Sequence, residues 1–231
     1  MIGTSDIETI RTITIDRPER RNALTPAGLD ALERAVTEAE TPVVYLHGAG
    51  SAFCAGADLD VVAGLDRAEA AAFAEHGQRV ATAIERAESV VVAGIDGPAR
   101  GGGVELALAC DVRVATPNAT FAEPGVALGI FGAWGGTARL PAVVGLGEAM
   151  DLALSGRVID AEEARRIGLV SRVVDAPRAV AEELATHDPD ALAVLKERLR
   201  DTDDRRAQEA REATAFGRLV AANADSLGDR R

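Results

Sequence analysis

Ala99-Arg100-Gly101-Gly102-Gly103-Val104-Glu105-Leu106-Ala107-Leu108-Ala109-Cys110-Asp111 is the stretch whose reading decides the fold of this chain. Three glycines run straight into an apolar helical pattern, and one acid, Glu105, falls in its first turn. A side chain at any of these glycines would block approach to the backbone, so the run suits bare amides facing a ligand. Amides at a helix start lack intrahelical acceptors and sit at the positive end of the helix dipole, where negative charge is attracted. Glu105 then stands where a proton can be moved beside that charge. The stretch equally reads as a tightly packed glycine-rich helix start with Glu105 as its dipole partner. Taken alone, it leaves both readings open.

A second stretch lies upstream. Gly48 to Leu59 follows the β-like run Val43-Val44-Tyr45-Leu46 and combines a turn signal with small residues, so another backbone N–H can be exposed near Gly56 and Ala57. Two amides from separate loops are what a carbonyl needs when negative charge develops on its oxygen. One such preorganised donor is typically worth ~2.7–4 kcal/mol.

Further outward, the residues from Ile7 to Asp16 alternate apolar and polar in a β-like manner, and Thr25-Pro26 opens a helix with threonine at N-cap and proline at N1. Residues 66–88 are alanine-rich with mixed charge and read as a helix, much of it surface. Val90 to Ile95 is a continuous apolar run of strand length, buried on both faces. Short strands follow at 111–115 and 119–121. Alternation of strands and helices implies a parallel-type sheet in an α/β fold. From Gly132 the pattern turns helical, over 135–145, 147–154, 161–167, 178–186, 188–200 and 205–222.

These blocks together resemble the crotonase (enoyl-CoA hydratase/isomerase) superfamily. The resemblance runs from Ile13 to about Val174 and rests on five ordered marks: Asp16-Arg17-Pro18 through Asn22-Ala23-Leu24; Ala52 to Leu59; Gly101 to Ala107 with Cys110-Asp111; Gly135-Gly136-Thr137-Ala138-Arg139-Leu140-Pro141; and Gly168-Leu169-Val170. It implies a crotonase-like spiral of repeated ββα units over residues 1–174, with an opening hairpin shorter than is usual there. Residues 175–231 would form a C-terminal helical region that caps the site and packs subunits into trimers or dimers of trimers. The implied activity is on an acyl-CoA thioester, with reversible hydration of a 2-trans-enoyl-CoA as first choice. Decarboxylation, double-bond isomerisation and a silent acyl-CoA-binding role are the alternatives, since one fold hosts many chemistries. Coenzyme A would be part of the substrate, with no separate cofactor and no metal.

Residue by residue, the resemblance places the two oxyanion amides at Ala57 and Gly102 and one catalytic acid at Glu105. The second acid of family hydratases, counted back from Gly129, falls on Gly125. Glu123 stands two residues earlier, before Pro124 instead of after it. In an extended segment two residues span ~6.6 Å, too far for simple substitution without backbone rearrangement. So either Glu123 is a catalytic residue through local rearrangement, or Glu105 works alone, or the reaction is not hydration. Glu123 otherwise reads as a polar loop residue. Ala23, Leu24, Gly56, Asp58 and Leu59 would line the coenzyme A groove. Phe131 and Trp134 are candidates for the acyl pocket, and Trp134 equally reads as a plug between the spiral and the C-terminal helices. A similar Trp-Gly-Gly turn in some acyl-CoA decarboxylases keeps that reaction in view.

Composition bounds the rest. A chain of 231 residues with 47% hydrophobic content can bury a substantial core. The net charge of −12 argues against nucleic acid and anionic membranes as partners. Cys54 and Cys110 read as reduced core residues, and His47, His76 and His187 lack metal-ligand spacing. With no basic-then-apolar leader and no apolar run of ~18 residues, a soluble cytoplasmic protein is expected.

Overall fold

The computed structural model describes residues 1–228. Strands β1 (Ile2–Ile7) and β2 (Ile10–Ile15) form an antiparallel hairpin. The hairpin turn falls within the β-like segment read from Ile7 to Asp16, where Glu8 takes a left-handed φ of 52° that no glycine or asparagine announces. Helix α1 (Pro26–Thr37) starts as expected, Gly28 N donating to Thr25 Oγ1 at 3.2 Å. Strand β3 (Val43–Gly48) leads through the loop to a short α2 (Leu59–Val62) and to α3 (Arg67–Arg86), which a full capping box of Asp66 and Glu69 initiates.

Next come β4 (Val90–Ile95), β5 (Pro98–Arg100), α4 (Gly102–Ala109), β6 (Val112–Ala115) and β7 (Thr120–Ala122). A 3-10 turn over Pro124–Leu128 precedes α5 (Gly136–Val144), α6 (Leu146–Ser155), β8 (Ile159–Asp160), α7 (Ala161–Arg166) and β9 (Arg172–Val173). Helices α8 (Arg178–Leu184), α9 (Pro189–Leu199), α10 (Arg205–Ala222) and α11 (Ala224–Gly228) complete the described chain.

The strands divide between two sheets. One has the order β1-β2-β3-β4-β6-β9 and is parallel after its first hairpin; the other is β5-β7-β8. Consecutive stretches of chain repeat one path: a strand in the large sheet, an extended segment in the small one, then a helix. β4-β5-α4 is one such unit, and β6-β7 followed by α5 is the next. In the unit before them, Cys54 pairs with Ala99 of β5 as an isolated bridge. Stacking these units makes the spiral and places the loop after each extended segment beside its equivalent in the next turn. Leu46, Phe53, Ile84, Ile95, Leu106 and Phe121 from successive units fill the core between the layers.

Asn22, fully buried, fastens the loop before Ala57. Its Nδ2 donates to Ala49 O at 2.9 Å and Ala52 O at 2.7 Å, while its Oδ1 accepts from Arg17 N at 2.9 Å. Asn22→Ala is expected to lower stability by about 1–3 kcal/mol, because buried backbone groups lose their partners. A urea midpoint that falls with an unchanged m value checks it. No helix among the described residues is long and apolar enough to cross a membrane.

Candidate active site

Three consecutive loops of the spiral meet at one place. Leu24 N donates to Gly56 O at 2.8 Å and Leu24 O accepts from Asp58 N at 2.9 Å, so the amide of Ala57 between them points the other way. Gly56 has φ +84°, and a Cβ there would stand 2.8 Å from Gly102 N. Only glycine lets the two loops approach so closely. Gly102 is the first residue of α4, where an N–H has no intrahelical acceptor. Ala57 and Gly102 share the wall of one cavity of about 400 Å³ with Leu59, Phe73, Glu105 and Trp134.

Glu105 is 1% exposed. Its Oε1 accepts from Trp134 N at 2.9 Å and Gly136 N at 2.6 Å. Burial pushes its carboxyl above the ordinary range, opposed by those two amides and by the Arg139 charge. Its other oxygen faces Gly132. A Cβ on Gly132 would lie 2.9 Å from Glu105 Oε2 and equally 2.9 Å from Glu123 Oε2.

The distance objection to Glu123 thus fails. The chain coils into the 3-10 turn directly after residue 123, so the extended-chain spacing does not apply. Glu123 follows β7 as Gly101 follows β5, and its carboxyl turns toward Glu105. Its Oε1 is buried without a partner among the described residues. Burial first, and then the Glu105 charge, push its carboxyl up to about 8. Gly125 has no room for an acid, since a Cβ there would stand 2.9 Å from Phe131 Cα. Glu123 opens onto a neighbouring apolar pocket of about 170 Å³ walled by Phe131, Gly132, Leu140, Leu146 and Met150. Phe131 and Gly132 are common to both cavities.

Other expected residues take different places. Ala23, Leu24, Gly56 and Asp58 do not reach the cavity wall; they form the layer behind Ala55, Ala57 and Leu59, which do. The buried Asp58 carboxylate pairs with Arg17 at 2.5 Å and accepts from Asp60 N, so it fixes a loop. Trp134 both lines the cavity and plugs the core, at 3% exposure. It fills the gap between α3 and the start of α4, not the gap beside the C-terminal helices: Phe73 meets its ring edge-on at 5.9 Å, and a Cβ on Gly102 would overlap the indole. Phe131, 68% exposed, stands where the two cavities meet.

Helix α3, expected mostly as surface, supplies Ala70, Phe73 and Ala74 to the cavity. Cys54 and Cys110 are free and buried, each thiol pushed up to about 12 by burial. His76 pairs with Asp30 at 2.9 Å beside Glu33, a grouping invisible to sequence spacing. Gly136 and Arg139 belong to one of the five marks, and Arg139 reads from the sequence as a residue that stabilises the loop or a neighbouring subunit; that they and Gly132 surround Glu105 is seen only in the structure.

The sequence pattern of the enoyl-CoA hydratase/isomerase family matches residues 6–223. The chain is 43% identical over 160 residues to a crotonyl-CoA hydratase of Syntrophomonas wolfei, covering 67% of this chain and 62% of that protein. It is 37% identical over 158 residues to a short-chain-enoyl-CoA hydratase of Clostridium acetobutylicum, covering 66% and 60%. The match therefore spans about three fifths of these relatives' length. Among solved structures, an enoyl-CoA hydratase from Bacillus anthracis superposes with a TM-score of 0.90 at 33% identity, covering 98% of this chain and 96% of that one. One from Thermoplasma volcanium gives 0.92 at 29% identity, covering 100% and 97%. With the spiral, the paired loops and the family pattern all present, this chain belongs to the enoyl-CoA hydratase/isomerase family and has the crotonase fold.

Proposed function

We propose that the protein hydrates a short 2-trans-enoyl-CoA to the 3-hydroxyacyl-CoA. The observation that carries this reading is the pair of buried carboxyls, Glu105 and Glu123, converging on Gly132 beside the cavity lined by Ala57 and Gly102. The amides of Ala57 and Gly102 hold the thioester oxygen and stabilise the enolate as charge moves onto it. Glu105, gripped by two backbone N–H groups, ionises first. Glu123 Oε1 has no donor among the described residues, and burial lets the carboxyl keep its proton near neutrality.

In the forward direction Glu105 takes a proton from water as its oxygen bonds to C3. The double-bond electrons move onto the thioester oxygen, and Glu123 delivers its proton to C2 as the enolate collapses. Proton transfer between the carboxyls, through water, resets the pair. Amides and carboxyls suffice for every step, coenzyme A being part of the substrate.

One observation favours a second reading. Glu123 opens on the neighbouring pocket and not on the Ala57 cavity, which would leave Glu105 as a single acid–base group suited to isomerising a 3-enoyl thioester. A substrate panel separates the two. Loss of the enoyl-thioester absorbance with crotonyl-CoA supports hydration, whereas its appearance from a 3-enoyl-CoA supports isomerisation. Carbon dioxide release from a carboxyacyl-CoA would select decarboxylation, and binding without turnover a silent role.

Residues 175–231 are read as a region for oligomerisation and capping, and the assembly as a homotrimer or dimer of trimers. Helix α10 buries none of its described residues, and it exposes Phe216 and Val220 while α6 exposes Leu146, Met150 and Leu154. Sedimentation is expected to give three or six times the chain mass; a monomer refutes the assembly.

A further inference from the structure

We propose that Arg139, which does not line the cavity, is a positioning residue for Glu105; the inference rests on the hydratase reading. The two amides on Glu105 Oε1 belong to Trp134 and Gly136, so the turn between them sets where the carboxylate stands. Arg139 reaches back across that turn. Its Nη1 donates to Trp134 O at 3.2 Å and its Nη2 to Glu85 Oε2 of α3 at 2.6 Å. Gly135 makes this possible: it has φ +102°, and a Cβ there would overlap Arg139 Nη1.

The far end of the bridge is anchored as well. Glu85 Oε1 accepts from Arg200 Nη1 at 3.2 Å, and Arg200 also holds Asp111 Oδ1 at 2.8 Å and Ala109 O at 2.9 Å. Asp111 is in turn paired with Lys196, the only lysine of the chain, at 2.9 Å. A chain of ion pairs and hydrogen bonds therefore runs from α9, through the end of α4 and α3, to the peptide that carries the donors of Glu105. One planar guanidinium spans two acceptors, which an ammonium cannot do in the same geometry. The charged groups around Glu105 are Arg139 from α5 and Glu123 from the loop after β7, with Glu85 of α3 behind Arg139.

The test compares wild type with Arg139→Gln, Arg139→Lys and Glu85→Gln in crotonyl-CoA hydration, melting temperature and quenching of Trp134, the only tryptophan. Arg139→Gln is expected to lower kcat about 10–100-fold, the effect of a catalytic group displaced by about an ångström. KM should stay within about twofold, since substrate contacts are untouched. Loss of the cation also moves the acid limb of kcat to higher pH, and acrylamide quenches Trp134 more strongly. Arg139→Lys recovers part of the rate, and Glu85→Gln shifts the same readouts less.

A wild-type kcat in Arg139→Gln overturns the proposal. So does a fall in kcat and melting temperature together with the acid limb and the quenching unmoved, because that marks a structural role only. If Arg139→Gln does not fold, Glu85→Gln decides by the same readouts. Should wild type hydrate no enoyl thioester, the hydratase reading fails, and with it a role for Arg139 in hydration. Quenching of Trp134 still decides whether Arg139 holds the turn.

Discussion

Glu105→Gln is expected to lower kcat for crotonyl-CoA hydration by about 10²–10⁴-fold, the range that general acid–base catalysis contributes. The amide keeps the shape of the side chain, and its carbonyl oxygen still accepts from Trp134 N and Gly136 N. Fold and KM should therefore hardly change. What disappears is the base at the oxygen facing Gly132. A second consequence follows from the coupling of the pair. The charge of Glu105 helps raise the Glu123 carboxyl to about 8, so its removal lowers that value. In wild type, activity should fall as pH rises through about 8, where Glu123 loses the proton it donates. In the residual activity of Glu105→Gln, that alkaline limb should lie at lower pH. Steady-state rates across pH 5–10 check both statements. A variant within threefold of wild type would remove Glu105 from the chemistry.

Glu123→Gln is expected to separate activity from stability. Loss of the proton donor to C2 should lower kcat by about 10²-fold or more. The stability effect has the opposite sign. Both folded and unfolded chains carry a protonated Glu123 below its ordinary range near 4.5. Between there and about 8 the unfolded chain ionises while the folded one resists, so this residue progressively destabilises the fold as pH rises. A neutral glutamine lifts that burden. The melting temperature of Glu123→Gln should exceed that of wild type at pH 8 and approach it at pH 4. Equal activity, or a lower melting temperature at pH 8, would show that Glu123 is an ordinary loop residue.

Local patterns carried much of the fold. Thr25-Pro26 announces α1 because a hydroxyl and a proline suit the first turn of a helix. Val90–Ile95 announces a doubly buried strand because every residue is apolar. The hairpin turn at Glu8 was illegible because nothing in that residue signals a left-handed backbone. The inner face of α3, Phe73, Gly77, Val80, Ala81 and Ile84, was masked by the alanine-rich, charged residues around it, and Trp134 packs on its Gly77. At the site, Glu105 could be read from the glycine run before it. That Gly132, Gly136 and Arg139 surround it could not, because those contacts run across a turn and between helices, although Arg139 as a loop-stabilising residue was legible.

By itself the sequence determined the alternation of strands and helices, the glycine-rich loops around Gly56 and Gly102, and the place of Glu105 in the first helical turn after one of them, since each follows from residue type and near neighbours. The oxyanion roles of Ala57 and Gly102 are what the family resemblance implies. Only the tertiary structure decided that Glu123 joins Glu105, that Gly125 has no space for an acid, and that Arg139 secures the turn over the carboxylate. Those outcomes depend on how successive turns of the spiral stack, and stacking brings together residues whose distance along the chain says nothing of their distance in space.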